Sequence, residues 1–301
     1  MIRNKGAAGV DGITFEDLPQ FLEKHGEKIK QKLRNGTYIP APVKRVDIPK
    51  PNGGTRMLGI PTLLDRTIQQ AIVMTIGGDF EEQFSNKSYG FREGRNCQQA
   101  VLKAQEYVES GKRWVVEMDL SKFFDRVNHD ILMDRVSRVI TDKPLLKLIR
   151  RYLNAGIMEG GLVSPRTQGV PQGSPLSPLL SNVMLTELDW EIESRGLSHV
   201  RYADDCNIYV KSEKAAQRVL NSITQYVEGE LKLRVNRDKS GTFRPKDSTF
   251  LGYTFSKADS KRIVVAEKSV KRLWTKLHKM FNSARGTSLK TTIERITPVL
   301  R

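Results

Sequence analysis

Cysteine is scarce in this 301-residue chain: Cys97 and Cys206 lie far apart and form no CxxC pattern. That excludes a disulfide framework or a cysteine-built zinc site, and it leads us to expect a reducing compartment. Histidine is scarce too. His25, His129, His199 and His278 stand at no metal-ligand spacing from one another, so each reads as an isolated core or surface residue. No apolar run approaches the ~18 residues of a membrane helix, and we expect no membrane partner. The opening residues carry no secretory pattern, which leaves the Asn86-Lys87-Ser88 sequon without meaning. Internal repeats and low-complexity tracts are missing. Acidic residues are in deficit, 34 Asp and Glu against 50 Lys and Arg, for a formal charge of +16. Such an excess speaks about partners, and nucleic acid is the first polyanion to consider. It is concentrated near the end, where residues 257–301 hold 12 basic and 3 acidic residues.

What is present is enough chain for one large or two modest domains with a sizeable core. The most informative run is Tyr202-Ala203-Asp204-Asp205. Val200-Arg201-Tyr202 before it and Cys206 to Val210 after it are rich in aromatic and β-branched residues, so both flanks read as strands. The two aspartates then fall at the tip of a tight hairpin. Adjacent carboxylates repel unless a cation lies between them, and on a basic protein that points to Mg²⁺ and phosphate chemistry.

The rest of the pattern sets this hairpin in context. A polar, helical lead-in covers the first 36 residues, with a turn at Gly9-Val10-Asp11-Gly12. Val43–Ile48 and Arg56–Ile60 flank a Pro/Asn/Gly turn and predict a second hairpin. Helices are expected from about Leu63 to Phe84 and from Asn96 to Ser110, the latter with Ala100, Val101, Ala104 and Val108 on one face. Trp114 to Asp119 is a short buried strand, and a helix starts near Asn128, a good N-cap. Thr167–Pro178, rich in Gly, Pro and Ser, opens a helix to about Ser194. After the Asp hairpin come a helix from Glu213 to Glu230 and an expected strand from Leu231 to Val235. Strand, helix, hairpin, helix, strand is the split βαβ, ferredoxin-like order with a long insertion. A further hairpin pairs Thr249–Phe255 with Arg262–Val265. The last strong element is a helix from about Ala266 to Ala284, with Val270, Leu273, Trp274, Leu277 and Phe281 in one stripe. Its opposite face, bearing Lys268, Lys271, Lys276 and Lys279, is either a solvated face or one presented to a phosphate. A homodimer through the Trp274 stripe stays open.

Two-metal phosphoryl transfer needs carboxylates that bridge ions ~3.5–4 Å apart. Asp204 and Asp205 bridge poorly alone, so a third is expected from a neighbouring strand, and Asp119 ends the strand that would lie beside the hairpin. Between them, Gly169 to Pro178 has glycines that allow close backbone approach and a helix N-terminus that favours anions. It is no Walker loop. Lys50 and Arg56 sit on the early hairpin, and Arg suits a triphosphate clamp.

On these residues the chain resembles the reverse transcriptases encoded by bacterial group II introns, which also act as maturases. Arg45 to Gln69, with Ile48-Pro49-Lys50-Pro51-Asn52-Gly53, looks like the first fingers block, and Ser88-Tyr89-Gly90-Phe91-Arg92 like the second. Asp119 to Asp125, Thr167 to Leu185 around Pro171-Gln172-Gly173, Tyr202 to Asp205, and Leu233–Lys239 with Phe250-Leu251-Gly252-Tyr253 follow in the family's order. The resemblance implies an α+β right-hand polymerase: fingers with an N-terminal extension at 1–113, a ferredoxin-like palm at 114–256 with an insertion near 128–165, and a palm-to-thumb connection at 257–301. It implies Asp119, Asp204, Asp205 and the Leu120 carbonyl as ligands of two Mg²⁺ ions. Lys50, Arg56, Phe123, Phe124, Gln172 and Lys239 would contact the dNTP, Phe124 being the gate against a ribose 2′-hydroxyl. Pro171, Gly173, Tyr202 and Phe250 to Tyr253 would hold template and primer.

The implied partners are group II intron RNA, an RNA template, a DNA primer and dNTPs, in a bacterial cytoplasm. Two departures are visible. The second fingers block continues as Asn96-Cys97-Gln98-Gln99, where the family often has a His. The chain also stops at Pro298-Val299-Leu300-Arg301, where the family's thumb would be developing, so we expect a fingers-and-palm portion. The alternatives are an RNA-binding maturase fragment with little synthesis, or a reverse transcriptase of another bacterial retroelement.

Overall fold

The computed structural model describes residues 6–49, 54–259 and 261–300. Helix α1 (Leu18–Arg34) leads into the hairpin of β1 (Val43–Pro49) and β2 (Thr55–Ile60), and α2 (Leu63–Glu81) follows. The Thr62 side chain accepts a hydrogen bond from the Asp65 amide and so starts α2. Asn96 and Gln99 form a reciprocal capping box at the start of α3 (Cys97–Glu109). Next come β3 (Trp114–Met118), the short α4 (Phe123–Arg126), α5 (His129–Val139) capped by Asn128, and α6 (Lys143–Asn154) capped by Asp142.

A small hairpin, β4 (Ile157–Glu159) and β5 (Leu162–Ser164), turns through Gly160-Gly161 and docks beside β1, completing a sheet of order β2-β1-β4-β5. Helix α7 (Leu176–Ser194) is buried on nearly every face, which explains why its sequence shows no single apolar stripe. It lies between α2 and α5 on one side and β6 (Ser198–Tyr202) on the other. Strand β7 (Asp205–Val210), α8 (Glu213–Gly229) and β8 (Gly241–Phe243) follow. The chain continues through β9 (Tyr253–Phe255), β10 (Ile263–Val265), α9 (Glu267–Ser283) and α10 (Leu289–Leu300).

The central sheet has the order β6-β7-β3-β8, all neighbours antiparallel. Numbered from β3, that is the 4-1-3-2 arrangement of a ferredoxin-like sheet, as the element order implied. Both faces are covered. Val116 and Met118 join the main core with α7 and α8, while Val115 faces a second cluster with Ala100, Val101, Ala104 and Val108 of α3. Burial on two sides explains why Trp114 to Met118 is apolar everywhere except at Glu117 instead of alternating.

One expected element is corrected. Leu231–Val235 is no strand; the edge position belongs to Gly241–Phe243. Lys232 adopts a left-handed backbone (φ 53°), which breaks an extended run there. Only Val235 touches the sheet's continuation, in a bridge to Leu120. The helix with Trp274 forms where expected, but its apolar stripe is exposed: Trp274 is 61% accessible and no residue of α9 is buried.

Candidate active site

Strand β3 delivers Asp119 and the β6–β7 turn delivers Asp204 and Asp205. Met118 pairs with Cys206, so one further step in that register sets Asp119 level with Asp205. The turn is tight. Ala203 takes a left-handed conformation (φ 56°), unusual for a residue with a Cβ.

Three contacts hold the turn. The Arg201 guanidinium donates to the Ala203 carbonyl at 2.9 Å. Gly90 packs so closely that a Cβ there would meet the Ala203 nitrogen at 2.3 Å. Residues 87–89 run alongside β6, the Tyr89 amide donating to the Arg201 carbonyl at 2.8 Å and the Arg201 amide to the Lys87 carbonyl at 2.9 Å. Arg201 itself is fully buried. It makes a two-pronged ion pair with buried Asp189 (2.8 and 2.6 Å) and donates to Asn182 Oδ1 at 2.9 Å. Burial is the largest single influence on the Asp189 carboxyl and raises it, but the Arg201 charge together with the hydrogen bonds from His199 and Arg201 holds Asp189 below its ordinary value.

The 234–240 segment braces Asp119 from the other side. Asn236 donates its amide to the Asp119 carbonyl at 2.8 Å and its side chain to Asp119 Oδ1 at 2.9 Å. The Asp119 amide donates to Ser240 Oγ at 3.0 Å, and Lys239 Nζ lies 3.5 Å from Asp119 Oδ2. Around the Leu120–Val235 bridge the hydrogen bonds are made by Ser121 with Arg234 and by Asn236 with Asp119. The Leu120 carbonyl is therefore not used in that bridge.

The carboxylates feel one another. Asp204 is raised, first by burial and then by the charge of Asp119, with Arg56 and Lys239 pulling back. Asp205 is pushed up to about 6 by the surrounding protein and then by Asp204 and Asp119. Its surface is open to solvent, which screens part of that push. Oxygen donors with surplus negative charge are what a hard divalent cation takes. Among the described residues no three His, Cys, Asp or Glu side chains are gathered tightly enough to hold an ion as they stand.

The Pro171-Gln172-Gly173 loop rests on β2. The Gly59 amide donates to the Gln172 carbonyl at 2.8 Å, and Arg56 Nε donates to Gln172 Oε1 at 2.5 Å. Gly173 is needed there: its φ is +105°, and a Cβ would come within 2.9 Å of the Gly59 carbonyl oxygen. The loop is also stitched to α4, with the Val170 amide donating to the Phe124 carbonyl and the Gly169 amide to the Val127 carbonyl, both 2.7 Å. Phe123 is buried in the core, and Phe124 lies edge-on against it at 5.2 Å.

Arg56, Gln172, Lys239 and the three aspartates thus share one region. Lys50 lies outside the described residues. Tyr202 and Phe250 to Tyr253 gather in the second cluster, beside α3. There Phe250 and Tyr253 close a two-residue turn through Leu251 and Gly252, both with positive φ.

His129, unassigned from the sequence, anchors this loop. Its Nε2 lies 2.7 Å from the Gly169 carbonyl and its Nδ1 3.1 Å from Asn154 Oδ1. Burial pushes the imidazole below its ordinary value. The unfolded chain then binds the proton at higher pH, so stability is lost as pH falls from about 6.5 through the depressed native value. Asp204 and Asp205, being raised, pull the other way. The measurement is therefore a difference: the melting temperature of the unaltered chain should fall more steeply between pH ~7 and ~5 than that of His129→Gln. Parallel curves would remove His129 as the cause.

The family described as reverse transcriptase (RNA-dependent DNA polymerase) matches residues 48–255. Protein YkfC of Escherichia coli (strain K12) is 36% identical over 293 residues, covering 84% of this chain and 77% of that protein. Group II intron-encoded protein LtrA of Lactococcus lactis subsp. cremoris is 40% identical over 187 residues, covering 62% of this chain and 31% of that protein. This chain therefore spans most of one relative and about a third of the other. Among solved structures, telomerase from Candida tropicalis in complex with a TWJ fragment of telomeric RNA is similar in fold. Its TM-score is 0.59 at 14% identity, over 92% of this chain and 56% of that one.

Proposed function

The chain belongs to the reverse transcriptase (RNA-dependent DNA polymerase) family, and from that premise we propose that it extends a primer 3′-end on an RNA template, adding deoxynucleotides and releasing pyrophosphate. The observation that carries the reading is the meeting of Asp119, Asp204 and Asp205 at adjoining strand ends, with Asp204 and Asp205 raised first by burial and then by neighbouring carboxylates.

Reverse transcriptase domains generally use divalent metal ions. Here the three carboxylates, with the Leu120 carbonyl, would hold two Mg²⁺, which when bound lower the pKa of the primer hydroxyl and neutralise charge on the triphosphate. The chain's own groups do the rest. Arg56, which donates to Gln172, would steady the incoming triphosphate, together with Lys50. Lys239 is the cation beside Asp119, free to move to a phosphate once the carboxylate is otherwise neutralised. The Pro171–Gly173 backbone forms a fixed platform on β2 under template and base, and Phe250 to Tyr253 steady the primer. In this reading residues 1–113 are fingers, 114–256 palm and 257–301 the connection towards a thumb. The RNA served is that of a group II intron, in a bacterial cytoplasm.

Phe124 is the sugar gate in this assignment, its ring rigidly packed on Phe123. Phe124→Ala should raise incorporation of ribonucleotides relative to deoxynucleotides by about tenfold or more, since a steric contact is worth ~1–3 kcal/mol. A dNTP/NTP ratio equal to that of the unaltered chain would take the role from Phe124.

A second reading is favoured by the charge of +16: an RNA-gripping maturase role on the same chain. Asp119→Asn separates the two. It should bind RNA as tightly as the unaltered chain, with the steep salt dependence of phosphate contacts, and add no nucleotide. Equal loss of both functions would contradict the assignment.

A further inference from the structure

At the opposite end of the central sheet from the aspartates, a cleft of about 580 Å³ opens between the end of α3, the start of β3 and the segment after β8. Lys112, Arg113, Arg244, Lys246 and Lys261 line it, and Glu109 is its one acidic side chain. None of these five cations takes part in a salt bridge among the described residues. Two are fixed by aromatic rings: Arg244 stacks 4.3 Å from the centroid of Trp114, and Lys112 Nζ sits 4.9 Å from that of Tyr107. Burial, and then the charge of Lys211, lower the Lys112 ammonium, so the cluster is crowded as well as basic.

Like charges held together without counter-ions are a standing repulsion that a polyanion relieves. We propose that this cleft binds the phosphodiester backbone of an RNA segment other than the one being copied. The site is remote from the chemistry: β3 starts with Trp114 at the cleft and leads into Asp119 at the catalytic end, about 17 Å away at ~3.3 Å per residue. The choice of RNA over an acidic protein rests on the polymerase reading above. It also fits the side chains, which are three lysines and two arginines, one of them ring-stacked, suited to phosphates and carrying no base-reading set.

The test uses a fluorescently labelled RNA hairpin unrelated to the template, with primer extension on a pre-annealed RNA template–DNA primer as the second readout. Lys112→Gln/Arg113→Gln/Lys246→Gln should weaken hairpin binding roughly tenfold or more near 0.1 M salt. It should flatten the dependence of log affinity on log salt by about 2–3, as loss of three phosphate contacts requires. Extension of the annealed primer should be unchanged. The single exposed change Lys246→Glu should act in the same direction and serves if the triple variant folds poorly. Hairpin affinity and salt slope equal to those of the unaltered chain would overturn the cleft alone. Failure of the unaltered chain to bind the hairpin at all would overturn the RNA reading with it. Selective loss of polyglutamate binding, with RNA binding kept, would make the occupant an acidic protein and also overturn the proposal. A matching loss of primer extension would mean that the cleft holds the template strand itself.

Discussion

Replacing Asp204 by alanine is expected to abolish nucleotide addition, by about a thousandfold or more, while leaving the protein folded. The size follows from what the carboxylate is asked to do. Charge stabilisation by a metal at the reacting phosphate is worth several kcal/mol, and each 1.36 kcal/mol is a factor of ten in rate. The fold should not suffer, because Asp204 makes no salt bridge among the described residues and is itself held above its ordinary pKa, first by burial and then by Asp119. Removing one of three repelling carboxylates relieves strain. The melting temperature without divalent ions is therefore expected to stay level or rise by a few degrees. Asp205→Asn should behave alike, since Asp205 carries the larger upward shift. Asp204→Ala protein with undiminished synthesis would refute the site; a collapsed melting temperature would mean that the turn depends on Asp204 for folding.

Arg201→Met is expected to have the opposite signature, a large loss of stability. The guanidinium is fully buried between Asp189, Asn182 and the Ala203 carbonyl. Taking it away leaves Asp189 as a buried carboxylate facing only His199 at 3.2 Å. Breaking such a pair from one side costs about 3–5 kcal/mol, which in a chain of this size lowers the melting temperature by roughly 10 °C. Stability and positioning separate in the double variant Arg201→Met/Asp189→Leu. Replacing both members of a buried pair by apolar groups is often close to neutral, so stability should largely return. Synthesis should not return with it, because the Ala203 carbonyl then loses its guanidinium donor, and the left-handed turn that aims Asp204 and Asp205 is left with its contacts to residues 87–90 alone. Full activity in a restabilised double variant would reduce Arg201 to a packing residue.

The contrast between these two sets of residues shows what a sequence discloses. The aspartates were legible because their oddity is local: two adjacent carboxylates between β-rich flanks, and a third ending an apolar strand. The order of the palm elements was legible for the same reason, since periodicity of 2 and 3.6 marks strands and helices directly. Asp189 and Arg201 were not. In Thr186-Glu187-Leu188-Asp189-Trp190-Glu191, Asp189 looks like one more solvated helix charge, and only the all-round burial of α7 makes it an internal partner. The displaced edge strand was missed because Leu231 to Val235 has strand composition, while Lys232 turns the chain out of an extended path. The β4–β5 hairpin left a readable trace in Gly160-Gly161, but its three-residue strands are too short for a period to register.

The most direct test of the central claim is a single-nucleotide addition assay on a DNA primer annealed to RNA, with Mg²⁺ and one dNTP at a time. The structure leads us to expect addition of the nucleotide complementary to the RNA, one pyrophosphate released per addition, and no addition when EDTA removes the metal. Addition that ignores the template base, or addition of the same rate in EDTA, would contradict it.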